Sequence, residues 1–166
     1  MSVKTLTRMA LLSSVMLVLS YIERMIPAVS TVPGVKLGLA NTVLLYAIYL
    51  MRPKAAWALM VIKVFISGLV YLNGLAMLYS LAGGVLSLIG MYGAKRVKGL
   101  SIAGVSVVGA LLHIAGQLGV AAWKLKTQAL LAVLPLYMGL SAVTGLVTGI
   151  AAKYVNAALE KSGWTR

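Results

Sequence analysis

The stretch LAMLYSLAGGVLSLIGMYG, residues 75–93, runs nineteen positions without a charged side chain. Its small residues Ser80, Gly83, Gly84, Ser87 and Gly90 recur at spacings that keep them on one side of a helix. About 20 apolar residues carry a helix across the hydrocarbon core of a bilayer, and small residues let neighbouring backbones approach closely. The stretch reads as a membrane-spanning helix whose small face packs on other helices.

Runs of the same kind lie on either side of it. Apolar periodicity and turn signals predict helices over 6–26, 36–51, 55–72, 75–93, 101–123 and 129–157. Pro27 and Val32-Pro33-Gly34 end the first, Arg52-Pro53-Lys54 separates the second from the third, and Asn73-Gly74 turns the third into the fourth. Lys95-Arg96-Val97-Lys98-Gly99 and Trp123-Lys124-Leu125-Lys126 mark the next two breaks. The second run, about 16 residues, is short for a crossing and suits a helix lodged against protein. The fold class is an all-α integral membrane protein of about six transmembrane helices, with residues 1–166 forming a single transmembrane domain.

Composition agrees. Of 166 residues 61% are hydrophobic and 10% charged, where a soluble domain draws about a quarter from the charged types. Glu23 and Glu160 are the only acids, and Asp and Cys are absent. The chain therefore lacks an Asp-rich Mg²⁺ site for diphosphate chemistry, thiolate catalysis and zinc–thiolate sites. It also lacks the Gly-x-x-x-x-Gly-Lys-Ser/Thr loop that cradles ATP phosphates. One His and two Glu do not assemble a nucleophile, base and orienting acid. No catalytic residue, metal or cofactor is expected.

The net charge of +13 comes from cations grouped between apolar runs, a topological pattern and not a nucleic-acid face. With a cytoplasmic N-terminus the inner segments hold Lys4, Arg8, Arg52, Lys54, Lys95, Arg96, Lys98, Lys153, Lys161 and Arg166. The outer segments hold Arg24, Lys36, Lys124 and Lys126, ten against four. Both termini are predicted to be cytoplasmic. The apolar stretch after Lys4 and Arg8 lacks a small-x-small cleavage site and is expected to remain as the first helix.

Polar residues inside the runs are the site candidates. Lys63, near the middle of helix three, carries an insertion cost of about 2.5 to 3.5 kcal/mol. Ser67 and Tyr71 share its face at i+4 and i+8; either this stripe lines a pocket or Lys63 snorkels to the cytoplasmic surface. On helix five Ser106, His113 and Gln117 share a face, and on helix six Tyr137, Ser141, Thr144 and Thr148 do the same. Such stripes either hydrogen-bond between helices or surround a polar pocket for a neutral or anionic small molecule. Gly145-x-x-x-Gly149 and Ala10-x-x-x-Ser14 are small-residue faces for packing or for a partner.

Glu23-Arg24-Met25-Ile26-Pro27, followed by Gly34-Val35-Lys36-Leu37-Gly38-Leu39-Ala40-Asn41, resembles the signature of the Gx transporter family, also labelled heptaprenyl diphosphate synthase component I. The chain is similar to it over nearly its whole length in hydropathy, with the residue match concentrated in those two stretches. Prenyl diphosphate synthases are soluble helical enzymes with paired Asp-rich motifs, which this chain lacks, so the second label implies at most gene association or an accessory role.

More distantly the chain resembles the S components of energy-coupling factor transporters, six-helix vitamin carriers of the prokaryotic cytoplasmic membrane with cytoplasmic termini. That resemblance implies a small-molecule substrate held near the outer face, with a T component and two ATPases as partners. By position Glu23, Lys36 and Asn41 would belong to a capping loop and the start of helix two, and His113, Gln117 and Tyr137 would face the pocket. Ala10 and Ser14 would stand where S components carry an Ala-x-x-x-Ala docking face; Ser14 departs from it conservatively. For Lys36 to Asn41 the alternative is an interfacial anchor and helix-start cap. An accessory subunit of a polyprenyl diphosphate synthase or redox assembly is the second functional reading, and a gradient-driven carrier coupling His113 to Glu23 a third.

Overall fold

The computed structural model describes residues 3–25, 39–71, 74–126 and 129–161. The described segments form six helices: α1 (Val3–Arg24), α2 (Asn41–Leu50), α3 (Pro53–Tyr71), α4 (Gly74–Lys95), α5 (Ile102–Leu125) and α6 (Ala129–Lys161). Four of them, α1, α4, α5 and α6, are long and apolar enough to cross a membrane, and the chain is an all-α membrane protein. The Lys36 side of the signature and the Asn73 turn residue lie outside the described residues.

The helix limits follow local chemistry. The predicted α4–α5 break is a turn with Gly99 at φ +88°, a value that favours glycine. Ser101 then caps α5, its hydroxyl accepting from the Gly104 amide at 3.1 Å. Lys126, at φ 49°, ends α5. Pro135 stands inside α6 without ending it, as membrane helices tolerate when neighbours satisfy the freed backbone groups.

The main departure from expectation is α2. Leu39 and Ala40 form a turn, and the helix proper begins at Asn41. Ten residues rise roughly 15 Å, about half the hydrocarbon thickness. Val43 through Ile48 are all buried, so α2 is lodged within the bundle, as its short apolar run suggested.

The most extensive packing is α4 on α5 and α5 on α6; α3 lies on α4, and α1 lies mainly on α3. Small residues allow this closeness. A Cβ on Gly149 would lie 2.6 Å from the Ala103 Cα, and one on Gly116 2.9 Å from the Ala82 carbonyl oxygen. The Gly145/Gly149 face is thus spent on α5 inside the protein, the packing alternative of the two read from sequence.

Two apolar clusters result. One gathers Met9, Leu12 and Met16 of α1 with Val43–Ile48 of α2, Leu59 and Met60 of α3, Leu88 and Met91 of α4, Val105 and Ala152. The other joins Tyr79, Ile114, Leu118, Ala121 and Tyr137. Between them, α4 carries Ser80, Gly83, Gly84 and Ser87, α5 carries Ser106, Gly109 and His113, and α6 carries Ser141, Thr144 and Gly145. A polar belt therefore crosses the bundle at mid-height.

The close approach predicts a contrast. Gly149→Leu drives a side chain into the α5 backbone and should lower stability in detergent by about 1–3 kcal/mol. Gly119→Ala, where an added Cβ meets nothing within 4 Å, should be neutral or stabilising by up to about 1 kcal/mol. Thermal unfolding of both variants checks this.

Candidate functional site

The belt is built from side chains that the bilayer cannot solvate. Lys63 is 4% exposed, and its ammonium donates to Oδ1 of Asn41, at the first residue of α2. The side chain turns inward across the helix interface and does not snorkel. Its face-mates Ser67 and Tyr71 have side chains outside the described residues.

His113 and Gln117, one turn apart on α5, are both fully buried, with the Gln117 amide nitrogen 2.6 Å from Nε2 of His113. The imidazole and the amide thus satisfy each other within α5, the donor being set by the ring tautomer. The ring lies against Gly83 of α4, where a Cβ would come within 2.8 Å of Nδ1. Nothing larger than glycine leaves room for the imidazole.

The Ser106 and Thr148 hydroxyls pair at 3.2 Å across the α5–α6 contact. They line a cavity of about 10 Å³ together with Asn41, Thr42, Met91, Gly109, Ala110, Thr144 and Gly145, room for a single water molecule. Nδ2 of Asn41 and the hydroxyls of Ser87 and Ser141 are buried without a hydrogen-bond partner among the described residues. Each is capacity that a water or ligand can use.

The residues singled out from sequence thus fall into separate groups. Asn41 and Lys63 meet, and so do His113 and Gln117. Tyr137 is buried in the apolar cluster beside the belt. Glu23 is buried at the end of α1 remote from Lys4. Ala10 and Ser14 are exposed on α1, with the Ser14 hydroxyl returned to the Ala10 carbonyl at 3.1 Å. Lys36 lies outside the described residues.

The sequence reading took Lys95 only as a loop cation and did not single out Asn156. Lys95 donates to the Ile48 carbonyl at 2.8 Å and stands 4.6 Å over the Tyr49 ring, placing a cation on the negative end of α2. Nothing local links residues 47 apart. Asn156 is buried with Oδ1 unpartnered among the described residues; its spacing of eight from Thr148 extends the α6 stripe by two turns, a legible signal.

The Lys63–Asn41 contact is charge-assisted, so Asn41→Leu should cost about 1–3 kcal/mol by withdrawing an acceptor from a buried ammonium. The Asn41→Leu/Lys63→Met double variant should cost less than the sum of the two singles, measured as a double-mutant cycle on unfolding. Additive singles would show that the two side chains do not interact.

No curated protein and no solved structure matches the chain. A family model described as Heptaprenyl diphosphate synthase component I matches residues 12–155, from the first turns of α1 to the last turns of α6 and so across the whole polar belt. The chain belongs to that family.

Proposed function

We propose that this chain is the substrate-binding membrane subunit of an uptake system for a small organic nutrient, such as a vitamin or precursor, energised by a separate ATPase module. The observation that carries the reading is the polar belt. Membrane helices that need only to associate do so through small residues and dispersion contacts, and α4, α5 and α6 already have these. Buried Lys63, Asn41, His113 and Gln117 exceed that need, and polar groups at membrane depth are more often tied to a pathway or ligand than to packing.

The belt's chemistry selects a ligand class. The Lys63 ammonium meets the N-terminal end of α2, which has no side-chain cap and carries partial positive charge. Nδ2 of Asn41 adds a further donor. A donor-rich site of this kind suits a neutral or anionic molecule bearing carboxylate or carbonyl oxygens. At about 10 Å³ the cavity is closed in this state; admitting a nutrient requires a shift of α2, the shortest element. In this reading the chain has no catalytic role, and the exposed Ala10/Ser14 face of α1 meets a transmembrane partner resembling the T component.

The family's printed description favours a second reading, a membrane accessory subunit of a polyprenyl diphosphate synthase, with the chemistry performed by the partner.

Native mass spectrometry of the protein purified gently from its host, followed by denaturing extraction, separates the two. A stoichiometric nutrient-like ligand lost in Gln117→Leu and Asn41→Leu supports the carrier. An empty chain that co-purifies with a prenyl synthase overturns it in favour of the accessory subunit. If the carrier reading holds, Ala10→Trp should abolish cellular uptake while leaving ligand retention unchanged, because the residue faces away from the belt.

A further inference from the structure

The polar belt has an apolar neighbour that opens to the bilayer. Where α1 and α6 flank α2, they leave a crevice of about 310 Å³ whose lining is almost wholly apolar and includes Leu11, Val15 and Leu19 of α1, Val43 of α2, and Ala151 and Val155 of α6. Leu11, Val15 and Val155 are exposed, so the crevice faces the hydrocarbon sideways. Thr42 lines both this crevice and the water-sized cavity of the belt. The two hollows therefore adjoin at the second residue of α2.

The cavity at the belt end offers one donor. Its hydroxyls spend their protons inside the protein: Thr42 donates to the Leu39 carbonyl at 2.7 Å, Thr144 to the Leu140 carbonyl at 3.1 Å and Thr148 to the Gly145 carbonyl at 3.2 Å, which leaves the Ser106 proton for Thr148. Asn41, 7% exposed, keeps Nδ2 without a hydrogen-bond partner among the described residues. Its Oδ1 takes the Lys63 ammonium, which polarises the amide and strengthens Nδ2 as a donor. A water-sized space beside one donor fits one acceptor oxygen.

Depth restricts the group that carries this oxygen. Asn41 begins α2 and exposed Arg52 follows its end, so Asn41 stands roughly 15 Å from that surface along the helix, about half the hydrocarbon thickness. An ionised head would have to leave the membrane surface to reach it, at a desolvation cost far larger than that of a neutral carbonyl.

We propose that crevice and cavity together form a lateral binding site for a neutral, membrane-soluble molecule with a hydrocarbon chain that ends in a carbonyl group. The chain lies between α1 and α6 over α2, and the carbonyl oxygen passes Thr42 to accept from Nδ2 of Asn41. The proposal rests on the nutrient reading and narrows its substrate to a lipid-soluble class that enters from the bilayer.

The test is photocrosslinking of the full chain, in phosphatidylcholine nanodiscs, with undecyl methyl ketone carrying a diazirine in its alkyl chain, followed by peptide mapping. Label is expected on the α1 and α6 residues that line the crevice, displaced by excess undecyl methyl ketone and not by tridecane or dodecanoate. Asn41→Leu should lower labelling about fivefold, the loss of one hydrogen bond. Val15→Trp, which fills the crevice from an exposed position, should abolish it, and Leu17→Trp, roughly 200° further round α1, should leave it unchanged, with circular dichroism checking that each variant stays helical. Displacement by tridecane as well as by the ketone would reduce the crevice to ordinary lipid contact. Stronger displacement by dodecanoate would assign an ionised head, and labelling indifferent to Asn41→Leu would leave the cavity to a water; each of these three results overturns the proposal. A stoichiometric water-soluble ligand extracted from the host-purified protein would overturn the lipid-soluble class while upholding the nutrient reading.

Discussion

A bilayer core offers no water to a polar side chain, so a polar group inside it must find its partner within the protein. In this chain that constraint decides which surface of each helix faces inward. Lys63 reaches Asn41 and Ser106 reaches Thr148 across helix contacts, while His113 and Gln117 pair within α5. Turning any of these helices to expose its stripe would surrender a hydrogen bond with nothing to replace it. The apolar residues are interchangeable against lipid and carry less information about orientation; Leu69, Leu136 and Val147, for example, are left exposed.

Glycine makes the arrangement compact. At Gly83 and Gly116 the α4 and α5 backbones come close enough for His113 to sit against bare backbone, and Gly145 and Gly149 bring α6 equally near α5. Close contact accumulates dispersion energy where the hydrophobic effect supplies little. The outcome is a dense slab of α4, α5 and α6, against which α1, α2 and α3 are laid more loosely.

Much of this was legible in the residues. Uncharged runs such as 75–93 reveal spanning helices because length and composition alone set that requirement. The stripes on α5 and α6 were visible because spacings of three and four place side chains on one face. What could not be read is which stripe meets which. Lys63 and Asn41 lie 22 residues apart and Lys95 and Ile48 lie 47 apart, and no local rule couples such distances. The limits of α2 were misjudged for a related reason: hydropathy reports an apolar run, whereas the helix starts where Asn41 finds its tertiary partner. Tyr137 shares the helical face of Ser141 yet lies one turn further along, which moves it out of the belt into apolar packing.

The short helix α2 has a mechanical character that follows from its two lysine contacts. Lys63 of α3 holds its first residue, and Lys95 of α4 holds a carbonyl in its last turn. Each residue of an α-helix advances the chain by 1.5 Å and turns it by about 100°, so the two fastenings agree only for a helix of this length. A peg pinned at both ends cannot creep or slip by a residue; it stays seated or is withdrawn as a whole. Moving α2 relative to α3 and α4 therefore means breaking both ammonium contacts.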